Sequence, residues 1–337
     1  MRFLCKNCGF PATVLVGVPL VEAVCNKCRR PLELSADERR VGRYELLESI
    51  GSGGYGTVWK AKCDDSEDCY ALKLIRKSSF SEDDRIHLLR QIRTSQHLEH
   101  PRVVGVQDFG EADDYWFSVS DFVEGVPLGT WEKQHHPDPN CSAMLCAEIA
   151  DAVHYIHGRG LVHRDLKPGN IIIDLEGRPN LIDFGLSKCE SDADLMANER
   201  YRAARESMQR CRAGSRAAFL GTPAYMSPEQ ASGNSFHASA QSDVYSLGII
   251  LYELLCGRRP FAATGRALVR KILAGRPRRP SRHRHNISWQ LDAICLKAIA
   301  RRPEDRYATA ADFADDCRNA VAGQPVNAKP LRWSFWR

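Results

Sequence analysis

The feature that most constrains this chain is the run His163-Arg164-Asp165-Leu166-Lys167-Pro168-Gly169-Asn170, followed at once by Ile171-Ile172-Ile173. Asp183-Phe184-Gly185 begins thirteen residues after Asn170 and follows a second strand-like run, Asn180-Leu181-Ile182. One loop thus carries an acid, a lysine and an amide, and a second acid follows two strand-like runs later. This set suits phosphoryl transfer. Asp165 can orient a hydroxyl and accept its proton, while Asn170 and Asp183 can hold a hard cation, magnesium or manganese, that bridges phosphate oxygens.

Upstream, Gly51-Ser52-Gly53-Gly54-Tyr55-Gly56-Thr57-Val58 lies between the strand-like runs Tyr44–Ile50 and Val58–Ala61. Glycines at its first, third and sixth places let a backbone close over phosphates where Cβ atoms would clash. Taken alone, the pattern also occurs in dinucleotide-binding folds. On the next strand, Ala71-Leu72-Lys73 ends an apolar run on a lysine, which either meets an anion such as the α- and β-phosphates of ATP or snorkels to the surface.

In this order and spacing the motifs resemble the eukaryotic-like, bacterial-type serine/threonine protein kinase family over about Tyr44 to Ala320. Gly221-Thr222-Pro223-Ala224-Tyr225-Met226-Ser227-Pro228-Glu229 is similar to the end of that family's activation segment, with Ser227 where Ala is frequent. Ser242-Asp243-Val244-Tyr245-Ser246-Leu247-Gly248 matches the start of its buried central helix, and Arg306 stands where the family pairs an arginine with Glu229.

The resemblance implies an α+β, bilobal protein kinase fold, with a β-rich N-lobe over 44–120, a hinge at 121–125 and a helical C-lobe over 126–320. It implies transfer of the ATP γ-phosphoryl group to Ser or Thr hydroxyls of protein substrates, with Lys167 as the serine/threonine signature. Asp165, Lys167, Lys73 and Asn170 would be catalytic, and Asn170 and Asp183 would hold magnesium. ATP would lie against Ile50, Gly51, Ser52, Gly53, Gly54, Tyr55, Gly56, Val58, Ala71, Lys73, Asp121 and Val123, with Ser120 as gatekeeper. Arg164 before the catalytic Asp marks kinases switched on by a phosphate in the activation segment. Ser215 is the first candidate for that phosphate, with Ser207, Ser191 and Thr222 behind it, and Thr222 would also support the catalytic loop.

Two departures stand out. Counting back nine residues from His100 lands on Gln91, where the family places a glutamate that pairs with Lys73. A neutral bond in place of a charge-assisted one weakens positioning by about 1 to 3 kcal/mol, which leaves an ATP-binding pseudokinase-like scaffold as the alternative. The second departure is Leu195 to Ala218, which reads as an arginine-rich insertion, a short basic helix or a disordered stretch.

Ahead of these motifs, Cys5 and Cys8 form one C-x-x-C knuckle and Cys25 and Cys28 another, sixteen residues apart. Two tight turns of this kind aim four thiolates at one ion, which makes residues 1–32 a zinc-ribbon-like module with a closed, structural site. A redox dithiol pair or paired disulfides are the alternatives. Thr13–Val16 and Val21–Val24 read as two strands of a hairpin, and residues 33–43 as a charged linker or short helix that keeps the module separate from the kinase-like part. A protein partner for the ribbon is expected.

The chain has 337 residues and a net charge of +5, too mild for nucleic-acid binding without a concentrated patch. The densest basic run, Arg276 to His285, reads as a solvated loop. Nine further cysteines stand singly in a chain without an export signal, so they read as reduced thiols of a cytoplasmic protein. The most apolar stretch, Val244 to Cys256, falls short of the roughly 20 residues that span a bilayer and reads as a buried helix, so no transmembrane segment is expected. The tail, 321–337, ends in an aromatic cluster of Trp333, Phe335 and Trp336, suited to docking or to a membrane interface.

Overall fold

Strands form where apolar residues alternate with polar ones and every second side chain faces a common core. In a computed structural model, which describes residues 3–12, 14–35, 37–53, 56–79, 85, 89, 92–183, 223–232 and 238–329, this alternation produces a six-stranded antiparallel sheet. Its strands are β3 (Arg40–Val41), β4 (Tyr44–Gly53), β5 (Gly56–Cys63), β6 (Cys69–Arg76), β7 (Val106–Ala112) and β8 (Tyr115–Asp121), in the order β3-β4-β5-β6-β8-β7. Leu46, Trp59, Ala61, Leu72, Leu74 and Val119 are buried on one face. Residues 1–97 and 105–122 make up this first compact unit, and 98–104 with 123–337 make up the second.

The cysteine module belongs to the first unit and differs from the expected hairpin. Strand β1 (Phe3–Leu4) pairs with β2 (Pro11–Ala12), a single bridge joins Val24 to Pro31, and Leu20–Glu22 is a 3-10 turn rather than part of a strand. Gly17, with φ of 79°, and Pro19 interrupt the apolar run before a ladder can form.

Nor is the module separate. Phe3, Val14, Leu20, Ala23 and Leu32 share one hydrophobic cluster with Leu46, Trp59 and Leu72 of the sheet. The ring of Phe3 meets that of Trp59 edge-on at 6.0 Å. About thirty residues cannot enclose a core, so the module borrows the sheet's. The stretch expected as a linker is ordered: Ser35 and Glu38 cap a 3-10 turn at Asp37–Arg39, and Val41 of β3 is buried.

The second unit is built on helices α1 (Leu128–His135), α2 (Pro139–Gly158), α3 (Pro228–Ala231), α4 (Ala240–Cys256), α5 (Gly265–Ala274), α6 (Trp289–Ala298) and α7 (Ala310–Val321). Asp138 caps α2 by accepting from the amides of Asn140 and Cys141, with Pro139 in the first turn. The stretch Val244–Cys256 is the buried body of α4, which packs on α2 and α6. Gly248 is obligatory there, because a Cβ would stand 2.6 Å from that of Ala298.

The basic run is exposed at Arg276, Arg278, Arg279, Arg282 and His285, as expected of a solvated loop, and Arg284 is half-buried. Arg284 donates to the carbonyls of Pro137 (3.0 Å) and Leu255 (3.2 Å), so it closes the C-terminal end of α4. Beyond α7, buried Asp316 accepts from the amides of Asn327 and Ala328, which ties residues 327–328 to the helix. A three-stranded sheet of β9 (Gly125–Pro127), β10 (Ile171–Asp174) and β11 (Pro179–Leu181) completes the unit. Among the described residues no helix is long and apolar enough to cross a membrane.

Candidate active site

Strands β10 and β11 form an antiparallel hairpin in which Ile171 faces Leu181. Its turn is closed by Asp174, whose carboxylate accepts from the amides of Glu176 and Arg178. Asn170 immediately precedes the first strand and Asp183 follows two residues after Leu181. The amide of Ile182 donates to the carbonyl of Asn170 at 3.0 Å, so the hairpin places the two residues at one end.

Around Asn170 the loop folds back on itself. The Asn170 side-chain amide donates to the backbone carbonyl of Asp165 at 2.9 Å and to its carboxylate at 3.3 Å. Lys167 Nζ donates to the same carboxylate at 2.5 Å. With its NH2 group committed, Asn170 keeps its carbonyl oxygen available for a ligand. An amide oxygen and a carboxylate at one end of a hairpin are the donor chemistry a magnesium ion takes.

The support for this loop comes from a motif whose role toward it the sequence does not show. The buried carboxylate of Asp243, on α4, accepts from the backbone amides of His163 (2.7 Å) and Arg164 (2.9 Å) and bonds His157 Nε2 of α2 at 2.8 Å. Arg164 has φ of 64° and Asp183 of 62°, conformations that cost a non-glycine residue on the order of 1 kcal/mol or more. Charge-assisted bonds from one carboxylate to two successive amides offset that strain. Gln230 of α3 adds a bond from its side chain to the carbonyl of Arg164 at 2.8 Å. In the sequence Asp243 stands inside the Ser242–Gly248 helix-start motif, which gives it no partner.

Helix α3 is anchored in turn. Glu229 and Arg306 form a buried pair at 2.8 Å, and Arg306 also donates to the carbonyls of Ala300, Gln241 and Arg301. Burial alone would push the Glu229 carboxyl up, but the Arg306 guanidinium and the Ser242 hydroxyl hold it down at about 2. Ser227 is fully buried and caps α3 together with Gln230.

On the first unit, Lys73 lies on β6 between Val58 of β5 and Ser118 of β8, and Ala71 lies between Lys60 and Ser120. Ile50, Gly51, Ser52 and Gly53 end β4, Gly56 and Val58 begin β5, and Asp121 ends β8, where Gln107 donates to its carboxylate. Val123 follows as the first residue of the second unit's main segment. The glycines differ in what they permit. A Cβ on Gly56 would stand 1.7 Å from the carbonyl oxygen of Leu74, whereas one on Gly51 would meet only Val58 at 3.6 Å. Gly56 is therefore fixed by the approach of β6, a reason apart from room for phosphates. Gly54, Tyr55, Gln91, Phe184, Gly185, Ser191, Ser207, Ser215, Thr222, the 195–218 stretch and the aromatic tail lie outside the described residues.

The four cysteines of the front module converge, with all Sγ atoms within 4.8 Å of one another and the pairs Cys5–Cys28 and Cys8–Cys25 at 3.6 Å. A tetrahedron with metal–sulfur bonds of about 2.3 Å has sulfurs about 3.8 Å apart, so the set fits zinc. The knuckles repeat one turn. Cys5 and Cys25 donate their amides to Phe10 and Arg30, accept from Gly9 and Arg29, and both of the latter have positive φ. The backbone amide of Arg30 and the side chain of Asn7 draw the Cys28 thiol down to about 6. Cys8, although the Phe10 amide favours its thiolate, is pushed up to about 12 by desolvation and the neighbouring sulfurs. Four sulfurs this close cannot all ionise without a cation among them.

Comparison with known proteins agrees with this architecture. The protein kinase domain family matches residues 44–317. Serine/threonine-protein kinase PknB of Mycobacterium leprae is 34% identical over 294 residues, covering 85% of this chain and 44% of that protein. PrkC of Bacillus subtilis is 31% identical over 295 residues, covering 87% and 42%. The chain therefore spans less than half the length of these curated relatives. Among solved structures, Rad53 1-466 in complex with AMP-PNP superposes with a TM-score of 0.64 at 26% identity, over 81% of this chain and 64% of that one. The Mycobacterium tuberculosis PknI kinase domain, as a cysteine-to-alanine mutant, shares the fold with a TM-score of 0.63 at 23% identity, over 86% of this chain and 99% of that one. On this match of fold, motif order and sequence, the chain belongs to the protein kinase domain family.

Proposed function

We propose that the protein is a serine/threonine kinase that transfers the ATP γ-phosphoryl group to hydroxyls of protein substrates, and that its front module carries one structural zinc ion. The observation that carries the first reading is the Asp165–Lys167–Asn170 set, braced by Asp243 and followed by Asp183 at the same hairpin end. Asn170 and Asp183 are the residues that would hold magnesium, and the ion would supply charge neutralisation for the phosphates. Asp165 orients the acceptor hydroxyl and takes its proton, and Lys167, already at the Asp165 carboxylate, stabilises the oxygens of the group being transferred. Lys73 and Gly51 to Gly56 position the nucleotide phosphates, with adenine against Ile50, Val58, Ala71, Asp121 and Val123. Arg164 receives the activating phosphate, and Ser215 and Thr222 are the residues to examine for it. The domain limits that go with this reading are 1–32, 33–43, 44–320 and 321–337.

The described single cysteines, Cys63, Cys69, Cys141, Cys146, Cys256, Cys295 and Cys317, are free thiols, which supports a reducing compartment such as the cytoplasm. Four convergent sulfurs with matched knuckle turns support zinc. The ribbon's exposed Leu4, Leu15 and Val21 suit contact with a protein partner.

Autophosphorylation with ATP and magnesium, beside an Asp165→Asn control, tests the kinase reading. Incorporation by the wild-type chain should vanish in the control, and equal signals from the two would overturn the assignment. Elemental analysis of protein prepared without chelators should give about one zinc per chain. A metal-free preparation with four free thiols would refute the zinc reading.

A further inference from the structure

Strand β4 delivers Gly51 and Gly53, yet its outer edge is covered by β3 only at Tyr44 and Glu45. Beyond Glu45 that edge would present unpaired carbonyls and amides. The cysteine module takes them up. The amide of Gly17 donates to the carbonyl of Ser49 at 2.6 Å, and Pro19 forms an antiparallel bridge with Glu48. Leu20, next in sequence, is 1% exposed and lies in the cluster that holds Leu46 and Trp59.

On its inner edge, β4 is irregular at the same place. Its ladder with β5 passes from Leu46 to Glu48 and again from Ser49 to Gly51, so one residue is skipped on each side of the Glu48–Ser49 pair. Bulges bend a strand and disrupt its ladder locally. Glu48 and Ser49 are therefore gripped from both sides, by Lys60 and Trp59 of β5 and by Gly17 and Pro19 of the module. Gly51 lies two residues further on.

Residues 17–20 are held by their own contacts with β4 and by the knuckles on either side of them. Their stretch runs between Cys8 and Cys25, and its return passes through Ala23, whose carbonyl accepts from Leu32 at 2.8 Å. So small a module does not fold unaided, and four sulfurs within 4.8 Å of one another are placed for one ion to close it.

We infer that Gly17, Pro19 and Leu20 are positioning residues for phosphate binding: they fix the bulged segment Glu48–Ser49 of the glycine strand, and zinc at the four cysteines keeps them there. This rests on the kinase and zinc readings above. The ribbon thereby acts on ATP through β4, without touching the nucleotide.

The experiment compares the full chain loaded with zinc, the same chain stripped of zinc by a chelator and returned to magnesium, Cys25→Ser, and Leu20→Ala, which keeps all four sulfurs. Affinities for Mg·ADP and for adenosine are measured by calorimetry, and zinc content by elemental analysis. Removing zinc, or the Leu20 side chain, should weaken Mg·ADP by roughly ten- to a hundredfold, the scale expected of misplaced positioning groups, and adenosine by less than about twofold. Leu20→Ala should retain its zinc. Unchanged Mg·ADP affinity in chains shown to have lost zinc would overturn the inference. Equal losses for Mg·ADP and adenosine would overturn it too, in favour of general loosening of the sheet. A wild-type chain that binds Mg·ADP but holds no zinc would sink the metal's part, and Leu20→Ala would then decide the positioning role alone. A wild-type chain that binds no Mg·ADP would reject the kinase reading itself.

Discussion

Asp243 shows how much one side chain can decide. Its carboxylate is the common acceptor for the His163 and Arg164 amides and the partner of His157. Asp243→Asn would turn one acceptor into an NH2 group facing an N–H donor. We expect a stability loss of about 1 to 3 kcal/mol, the usual cost of leaving buried donors unmatched. Turnover should fall further than the stability loss explains, because Arg164 precedes Asp165. Thermal unfolding together with kcat at a temperature where the variant is folded would check this, and wild-type turnover in the folded variant would contradict it.

Glu229 gives a pH signature of its own. Its folded-state pKa of about 2 lies below the ordinary 4.5, so its contribution is complete above about pH 4.5 and is lost as pH falls toward 2. Arg306→Met, which strands the carboxylate, should cost about 3 to 5 kcal/mol near neutrality. It should also flatten the acid limb of the unfolding midpoint plotted against pH. Asp165, Asn170 and Asp183 were legible in the sequence as candidates because a short motif carries its own chemistry. Asp243 was not, because its meaning depends on which loop packs over its helix.

At the level of elements, β10, β11 and α4 could be read directly from apolar runs bounded by polar residues. The cysteine module could not. Its spacing announced a metal site, but Phe3, Leu20 and Leu32 follow neither a helical nor a strand period, so nothing in their order revealed that they face the sheet. Gly56 carries a similar lesson, since its need for glycine comes from the carbonyl of Leu74 on the neighbouring strand. Gly56→Ala should destabilise the first unit by at least the roughly 1 to 3 kcal/mol typical of overpacking. Gly51→Ala, with its Cβ in ordinary contact with Val58, should leave the unfolding temperature nearly unchanged. Equal stabilities of the two variants would show that β6 yields to the extra methyl.

For the whole molecule, the chain crosses between its two units more than once. Residues 98–104 belong to the second unit, held where Val104 donates to Leu181 and Leu181 to Arg102, and the chain then returns to the first unit for β7 and β8. Neither unit is one uninterrupted piece. Synthesis on the ribosome meets this directly. Leu181 is made 77 residues after Val104, a lag of roughly 4 to 15 s at 5 to 20 residues per second. Through that interval the segment 98–104 has no partner strand, while the sheet around it can already close. Nascent chains arrested with about 160 residues emerged should be cleaved by protease within 98–104, and released full-length chains should resist. The front module, by contrast, has all four sulfurs out of the exit tunnel well before Trp59 and Leu72 follow. If the module holds the zinc ion proposed above, capture of the ion would come first in time, and the sheet would then close onto its apolar residues.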